Sequence, residues 1–446
     1  MQNSKSLTTW SLIMINVIAI DSLRPLTFSA KFGPYLIFYY LLAIFTFFIP
    51  SALVTAELVT RYPKRGGIFI WVEQAFGHAV AFFVSLIQWA YNVIWFPTIM
   101  IFIWSLITFL LPFEILKTKS FIFAGTLIMF WICTYANIFG MKISSRVSTY
   151  GTILGTLIPM GLLIIFGLYS FIHDPSIFYD HQQPLISSNS LPYFVEIIFG
   201  LIGIEMSAMH ADEVNNPSHS FPKAILISGL IITFTLMASS LAICTFIKPS
   251  QVNLITGTLQ AVDIFAQKNH LHWLTTIFGI MMIWGSLATT SAWIIGPVKG
   301  LWAAADRGII PRFLSKTNEY QAPVNLLLMQ ATVYSMILLA FLYFPIETAF
   351  VLLNALTSQL SLIVYVVLFL TGIVLTKTRK DGTPYYHVNG LQYYCYIGIL
   401  ASVVTVALGF IMPAELTNIS SAVYTGGLMI SFFIILPLMI WLSRRQ

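Results

Sequence analysis

Residues Phe194–Ala211 read FVEIIFGLIGIEMSAMHA. The stretch is apolar enough to cross a bilayer, yet it carries Glu205 and, just before it, Gly200 and Gly203. A carboxylate at bilayer depth costs ~2.5–3.5 kcal/mol on insertion scales, so such a residue marks a functional position by default. Glycines beside it weaken the helix and let other groups approach the backbone. A glycine-interrupted membrane helix with a buried acid has the character of one half of a transporter's binding site.

The rest of the sequence supports a membrane setting. Of 446 residues, 58% are hydrophobic and 9% charged, against about 25% charged in ordinary soluble proteins. That deficit excludes a soluble globular protein. Aromatics make up 15%, in keeping with lipid-facing and interfacial rings. The apolar runs are ~20 residues long and lack the alternation of outer-membrane strands, which predicts helices. Twelve spans are predicted, at 8–31, 34–60, 79–111, 121–140, 147–172, 192–214, 223–247, 272–304, 324–344, 346–375, 392–412 and 420–442. No cleavable signal peptide is expected, because Thr8–Ala19 leads into an irregular segment without a small-residue cleavage site.

The basic residues set the orientation. With the N-terminus inside, the inner loops hold Lys5, Arg61, Lys64, Arg65, Lys142, Arg146, Lys223, Lys299, Arg307, Arg312, Lys316, Lys377, Arg379, Lys380, Arg444 and Arg445, which is sixteen of the 22. The outer side holds Arg24, Lys31, Lys117, Lys119, Lys248 and Lys268. This bias predicts both termini in the cytoplasm and an even number of spans in a cell inner membrane. The net charge of +6 is therefore an orientation signal, and no nucleic-acid partner is expected. Cys133, Cys244 and Cys395 lie far apart in apolar surroundings and are read as inert packing. No cofactor or metal is expected, and no phosphate loop, dinucleotide fingerprint or nucleophile elbow is present.

The two halves of the chain have matching interruptions. Span 1 is broken at Ile20-Asp-Ser-Leu-Arg-Pro25 and span 6 at Gly200-Leu-Ile-Gly-Ile-Glu205. Broken helices at corresponding positions point to an inverted repeat with a binding site between the halves. The first repeat would run over 8–172 and the second over 192–375, with two further spans in 392–442. In the first break Pro25 removes a backbone donor and disfavours helix at the residue before it. Asp21 and Arg24 could pair and pin the kink, and the amides of residues 22–24 could hold a carboxylate. In the second break, carbonyls freed around Gly200, Ile202, Gly203 and Ile204 could accept from an ammonium. Glu205 could sense the ligand's charge, carry a proton, or bridge helix ends as a structural acid. Glu196 falls near the outer start of this span and is expected at the interface. Gln88, Tyr91, Asn92 and Trp95 share one face of span 3 at helical spacing, where they would line a cavity or bond between helices. Trp293 in span 8 could cap a substrate or pack. Asn354, Thr357, Ser358 and Gln359 in span 10 are expected to face the protein interior.

At these segments the chain resembles the amino acid/polyamine/organocation transporters, and most of all the bacterial glutamate/GABA antiporter branch. The resemblance rests on Phe48-Ile-Pro-Ser-Ala-Leu-Val-Thr-Ala-Glu57, on Pro63-x-x-Gly-Gly-Ile-Phe-Ile-Trp-Val-x-x-Ala-Phe-Gly77, on Gly203 to Pro217, and on Ala292 to Leu301 followed by Ala303 to Pro311. It covers nearly the whole chain, in order. It implies an all-α polytopic membrane protein with a LeuT-like fold: twelve transmembrane helices, a five-plus-five inverted repeat, and broken helices 1 and 6 working by alternating access. It implies a substrate site that includes Ile20, Asp21, Ser22, Leu23 and Arg24 on helix 1, and Gly200, Ile202, Gly203, Ile204 and Glu205 on helix 6. Gln88, Tyr91 and Trp293 would complete the pocket. Glu205 falls on the family's sixth-helix acid and is the proton-coupling candidate. Trp293 falls on a substrate-contacting aromatic.

Two departures qualify this. Enteric members carry a C-terminal plug, whereas this sequence stops at Gln446, so that gating is not expected. Proton-coupled members carry a lysine within helix 5, where this sequence has Gly155, which favours exchange. The expected function is secondary active amino-acid antiport of the glutamate/GABA kind, with amino acids and the lipid bilayer as partners and a homodimer compatible with the sequence. The alternatives are a proton-coupled amino-acid symporter and, further off, a channel or a transporter-like receptor.

Overall fold

The computed structural model describes residues 7–64, 66–139, 150–179, 191–306, 311–320, 322–340, 343–377, 385–414, 416 and 419–444. Of the basic residues that orient the chain, Lys5, Arg65, Lys142, Arg146, Arg307, Arg379, Lys380 and Arg445 lie outside the described residues. The helices are α1 Thr9–Ile20, α2 Leu26–Ala30, α3 Gly33–Arg61, α4 Ile68–Phe76, α5 His78–Leu110, α6 Lys119–Ile138 and α7 Tyr150–His173. After α7 comes a short turn, and then α8 Leu191–Phe199, a 3-10 stretch Met206–Glu213, α9 Pro217–Cys244 and α10 Gly257–Lys268. The chain finishes with α11 Trp273–Asp306, α12 Val324–Ala340, α13 Ile346–Thr376, α14 Leu391–Leu408 and α15 Ser421–Arg444. Among the described residues nine helices are long and apolar enough to cross a membrane. This is a multi-pass membrane protein.

The span expected at 223–247 begins earlier, at Pro217. Proline is favoured in the first helical turn, where its missing amide would have no partner anyway. The spans at 8–31 and 192–214, each expected to be interrupted, are each two pieces. Helix α1 gives way to α2 across residues 21–25, and α8 gives way to the 3-10 stretch across residues 200–205.

Helix α5 forms the centre, packed between α11 and α13. It is apolar on every side, which suits a helix surrounded by other helices. Its residues from Val84 to Ile103 are all buried. Helix α1 lies against α9 and touches α11. Where α7 crosses α11, Gly155 meets Gly285 backbone to backbone. A Cβ on Gly155 would fall 2.2 Å from the Gly285 amide nitrogen. The position is therefore closed to any side chain, which is the small-residue packing expected in a bilayer.

Both ends of the broken helices are tied down. At one end Leu7 forms a parallel bridge with Val214, its amide donating to the Glu213 carbonyl at 3.1 Å. At the other end α2 is tied to the entry of α10. Thr27 Oγ1 donates to the Leu254 carbonyl at 2.7 Å, and Thr258 Oγ1 donates to the Leu23 carbonyl at 3.2 Å. At the far end of α10, Lys268 Nζ reaches Asp174 at 3.2 Å. Hydrogen bonds from Ser176 and from Lys268 hold the exposed Asp174 carboxyl below its usual range.

Candidate functional site

The first break is made by sequence chemistry. Asp21 turns the backbone to an extended conformation (φ −64°, ψ 124°) while its amide still donates to Val17 at 2.8 Å. Ser22 Oγ then accepts from the Arg24 amide at 3.3 Å, a local turn that competes with helix. Pro25 has no amide to give, so α2 starts immediately after it. Ser22 and Leu23 belong to neither helix.

The expected alternative in which Asp21 pairs with Arg24 does not hold. Both are buried, but they point to different helices. The Asp21 carboxylate accepts from Thr235 Oγ1 of α9, at 3.0 and 3.2 Å from its two oxygens. The Arg24 guanidinium donates through Nη1 to Asn354 Oδ1 of α13. It also sits 5.8 to 6.0 Å from the ring centres of Trp95, Phe199 and Phe350, within cation–π range.

The second break is made by backbone freedom. Past Phe199 the chain tightens, with Leu201 and Ile202 donating to Ile198 and Phe199 at 3.1 and 3.2 Å. Gly203 then takes φ +125°, a conformation L side chains rarely adopt. It lies against the end of α1, where a Cβ would come within 3.1 Å of Ile20 Cγ1. Its amide donates to the Tyr365 hydroxyl at 2.8 Å, and that hydroxyl donates to the Glu205 carboxylate. Tyr365, from α13, thus joins the two polar groups of this break.

The two breaks face each other across a narrow cavity of about 60 Å³, well below the ~300–1,000 Å³ of an ordinary small-molecule site. One wall is Ala19, Ile20, Ser22, Arg24 and Pro25, and the opposite wall is Phe199, Gly200 and Ile202. Helix α5 adds Tyr91, Asn92 and Trp95, and α11 adds Thr289 and Trp293. Trp293 Nε1 donates to the Ala19 carbonyl at 3.2 Å, which closes the exposed end of α1. Its ring lies 6.2 Å from that of Trp95.

Of the residues expected at the site, Ile20, Ser22, Arg24, Tyr91, Gly200, Ile202 and Trp293 line this cavity. Asp21, Leu23, Gln88, Gly203, Ile204 and Glu205 stand behind the lining, all buried or, for Gly203, packed on α1. The Gln88 carbonyl accepts from Asn92 Nδ2 at 2.7 Å, which ties the α5 face together internally. Glu196, expected at the interface, is instead buried (5% exposed) beside a neighbouring cavity lined with Tyr193 and Tyr424. It is near enough to act electrostatically on Arg24. The helix places it one turn before Gly200, and α15 covers that face through Tyr424. Among the described residues no group of His, Cys, Asp and Glu is arranged to hold a metal.

Three residues that sequence reasoning missed belong to this assembly: Thr235, Thr289 and Tyr365. Thr235 gives no signal, because its hydroxyl also lies 2.9 Å from the Ile231 carbonyl of its own helix, a contact any helical threonine can make. Tyr365 is one of 20 tyrosines, and only its partners distinguish it.

The sequence model of the amino acid permease family matches residues 7–436. An uncharacterized transporter of Legionella pneumophila is 38% identical, over 100% of this chain and 97% of its own length. A glutamate/gamma-aminobutyrate antiporter of Lactococcus lactis is 29% identical, over 91% of this chain and 84% of its own. A probable agmatine/putrescine antiporter of the same species is 23% identical, over 64% of this chain and 61% of its own.

Proposed function

The chain belongs to the amino acid permease family and is a membrane transporter, not an enzyme, and from that premise we propose that it is a secondary active amino-acid antiporter of the glutamate/GABA kind. The observation that carries this is the cavity walled by two helix breaks from opposite halves of the chain. Each break frees backbone groups at bilayer depth, where they must bond to protein, water or ligand. An amino acid offers the complementary set: a carboxylate for the amides beside Ser22, and an ammonium for the carbonyls beside Gly200 and Ile202. Trp293 and the α5 face would enclose the side chain. Glu205, linked through Tyr365 to the backbone of its own break, would report the ligand's charge to α13 and is the candidate for carrying a proton.

The same reading takes α1 with α2, and α8 with the 3-10 stretch, as two interrupted spans. With α12 they bring the long helices to twelve spans in a LeuT-like arrangement, with 8–172 and 192–375 as inverted repeats, 392–442 as the last pair, and both termini in the cytoplasm of an inner membrane. The basic inner loops support that orientation. Exchange is supported over proton-driven uptake by the contact of Gly155 with Gly285, which leaves no room for an amine at that level. The test is transport in proteoliposomes. Labelled glutamate should enter only when amino acid is present inside. Uptake into empty vesicles that follows an imposed pH gradient would overturn exchange in favour of symport.

A further inference from the structure

Within the cavity lining, Arg24 is the only formally charged residue among the described residues. No carboxylate lines the cavity. Glu205 is turned to Tyr365, Asp21 to Thr235, and Glu196 borders the neighbouring cavity. A guanidinium offers five donors in a rigid fork, and the structure uses one of them, on Asn354. The side chain is 3% exposed, so water does not freely solvate it. Glu196 acts on it through space without a hydrogen bond, and a buried cation whose remaining donors are not hydrogen-bonded is costly unless a partner arrives. The three surrounding rings hold the guanidinium in place without consuming its donors.

The charge balance of the cavity then selects the substrate. A zwitterion brings one ammonium and one carboxylate, which the two breaks can match. A diamine brings positive charge to a cavity that already carries one and has no lining carboxylate to answer it. A dicarboxylic amino acid brings one more carboxylate than ammonium, and the guanidinium fork fits a carboxylate through two parallel bonds.

We propose that Arg24 is the specificity-determining residue of this site, which holds the side-chain carboxylate of an anionic amino acid and rejects cationic amines. This rests on the reading of the cavity as an amino-acid site. It separates the chain in charge preference from the diamine carriers among its relatives.

The experiment compares glutamate with glutamine, its neutral isostere, and with putrescine, for wild type, Arg24→Gln and Arg24→Lys in proteoliposomes. In wild type, glutamate should compete at least about tenfold better than glutamine, the span expected for a charge-assisted pair, and putrescine should not compete. Arg24→Gln should bring the glutamate curve down to the glutamine curve, and Arg24→Lys should restore part of the difference. Equal losses for glutamate and glutamine would overturn the proposal, because Arg24 would then serve a group common to both or the fold itself. A glutamate advantage that survives in Arg24→Gln, or competition by putrescine in wild type, would also overturn it. Should Arg24→Gln fail to fold, the wild-type ranking and Arg24→Lys still decide. Should wild type exchange nothing, the antiport reading falls. Thermal stabilisation by glutamate over glutamine, present in the purified wild type and lost in Arg24→Gln, then decides Arg24 alone, and an equal preference in both overturns it.

Discussion

The two breaks face one cavity and are built from opposite materials. Residues 21–25 interrupt a helix with side chains: a serine turn, a proline without an amide, and two charged groups aimed at different helices. Residues 200–205 interrupt a helix with backbone: two glycines, one at φ +125°. Yet each break turns its acid away from the cavity onto a hydroxyl of another helix. Asp21 goes to Thr235 of α9, and Glu205 goes to Tyr365 of α13. The first break therefore contributes charge to the cavity through Arg24, and the second contributes shape. Two helix breaks on one cavity can thus divide its chemistry between them.

The division can be broken most severely at Gly203. Gly203→Val places a β-branched residue at positive φ against Ile20. The strained backbone costs ~1–3 kcal/mol, and exchange should fall roughly tenfold or more with protein still in the membrane. Retained exchange in proteoliposomes would mean that the second break is not held by its glycine. Next comes the hydroxyl of the second break. Tyr365→Phe leaves the Gly203 amide and the Glu205 carboxylate without a shared partner, about 1–3 kcal/mol per stranded group, read as a lower melting temperature in detergent. Glu205→Gln sharpens this further: the pH profile of exchange should change if the acid titrates in the cycle, and an unchanged profile makes Glu205 purely structural. The smallest effect is expected at the first break. Thr235→Val should cost about 1–2 kcal/mol, and a double-mutant cycle with Asp21→Asn should show coupling of at least ~0.5 kcal/mol. Additive losses would uncouple the pair and end the parallel with Glu205 and Tyr365.

Both breaks were legible in the sequence because proline, glycine and charge are costly within a bilayer and stand out there. The facing of individual side chains was not. Arg24 and Asp21 sit three residues apart, and sequence alone allowed them to pair. Which way each turns depends on Asn354 and Thr235, which are 330 and 214 residues away in the chain. Glu196 looked interfacial because one helix end is visible in sequence, while the residue that covers it, Tyr424, comes from the last helix. Gln88 and Tyr91 share a helical face, but only Tyr91 reaches the cavity. The missed hydroxyls carried no cost that sequence could reveal, since threonine and tyrosine are ordinary in membrane helices.

The ties between α2 and the entry of α10 have a mechanical side. Helix α2 is five residues long, too short to keep its own direction. Through Thr27 and Thr258 it is clamped to the segment that leads into the twelve-residue helix α10. The direction of α2, and with it the far edge of the first break at Pro25, is therefore set by α10 and not by α2 itself.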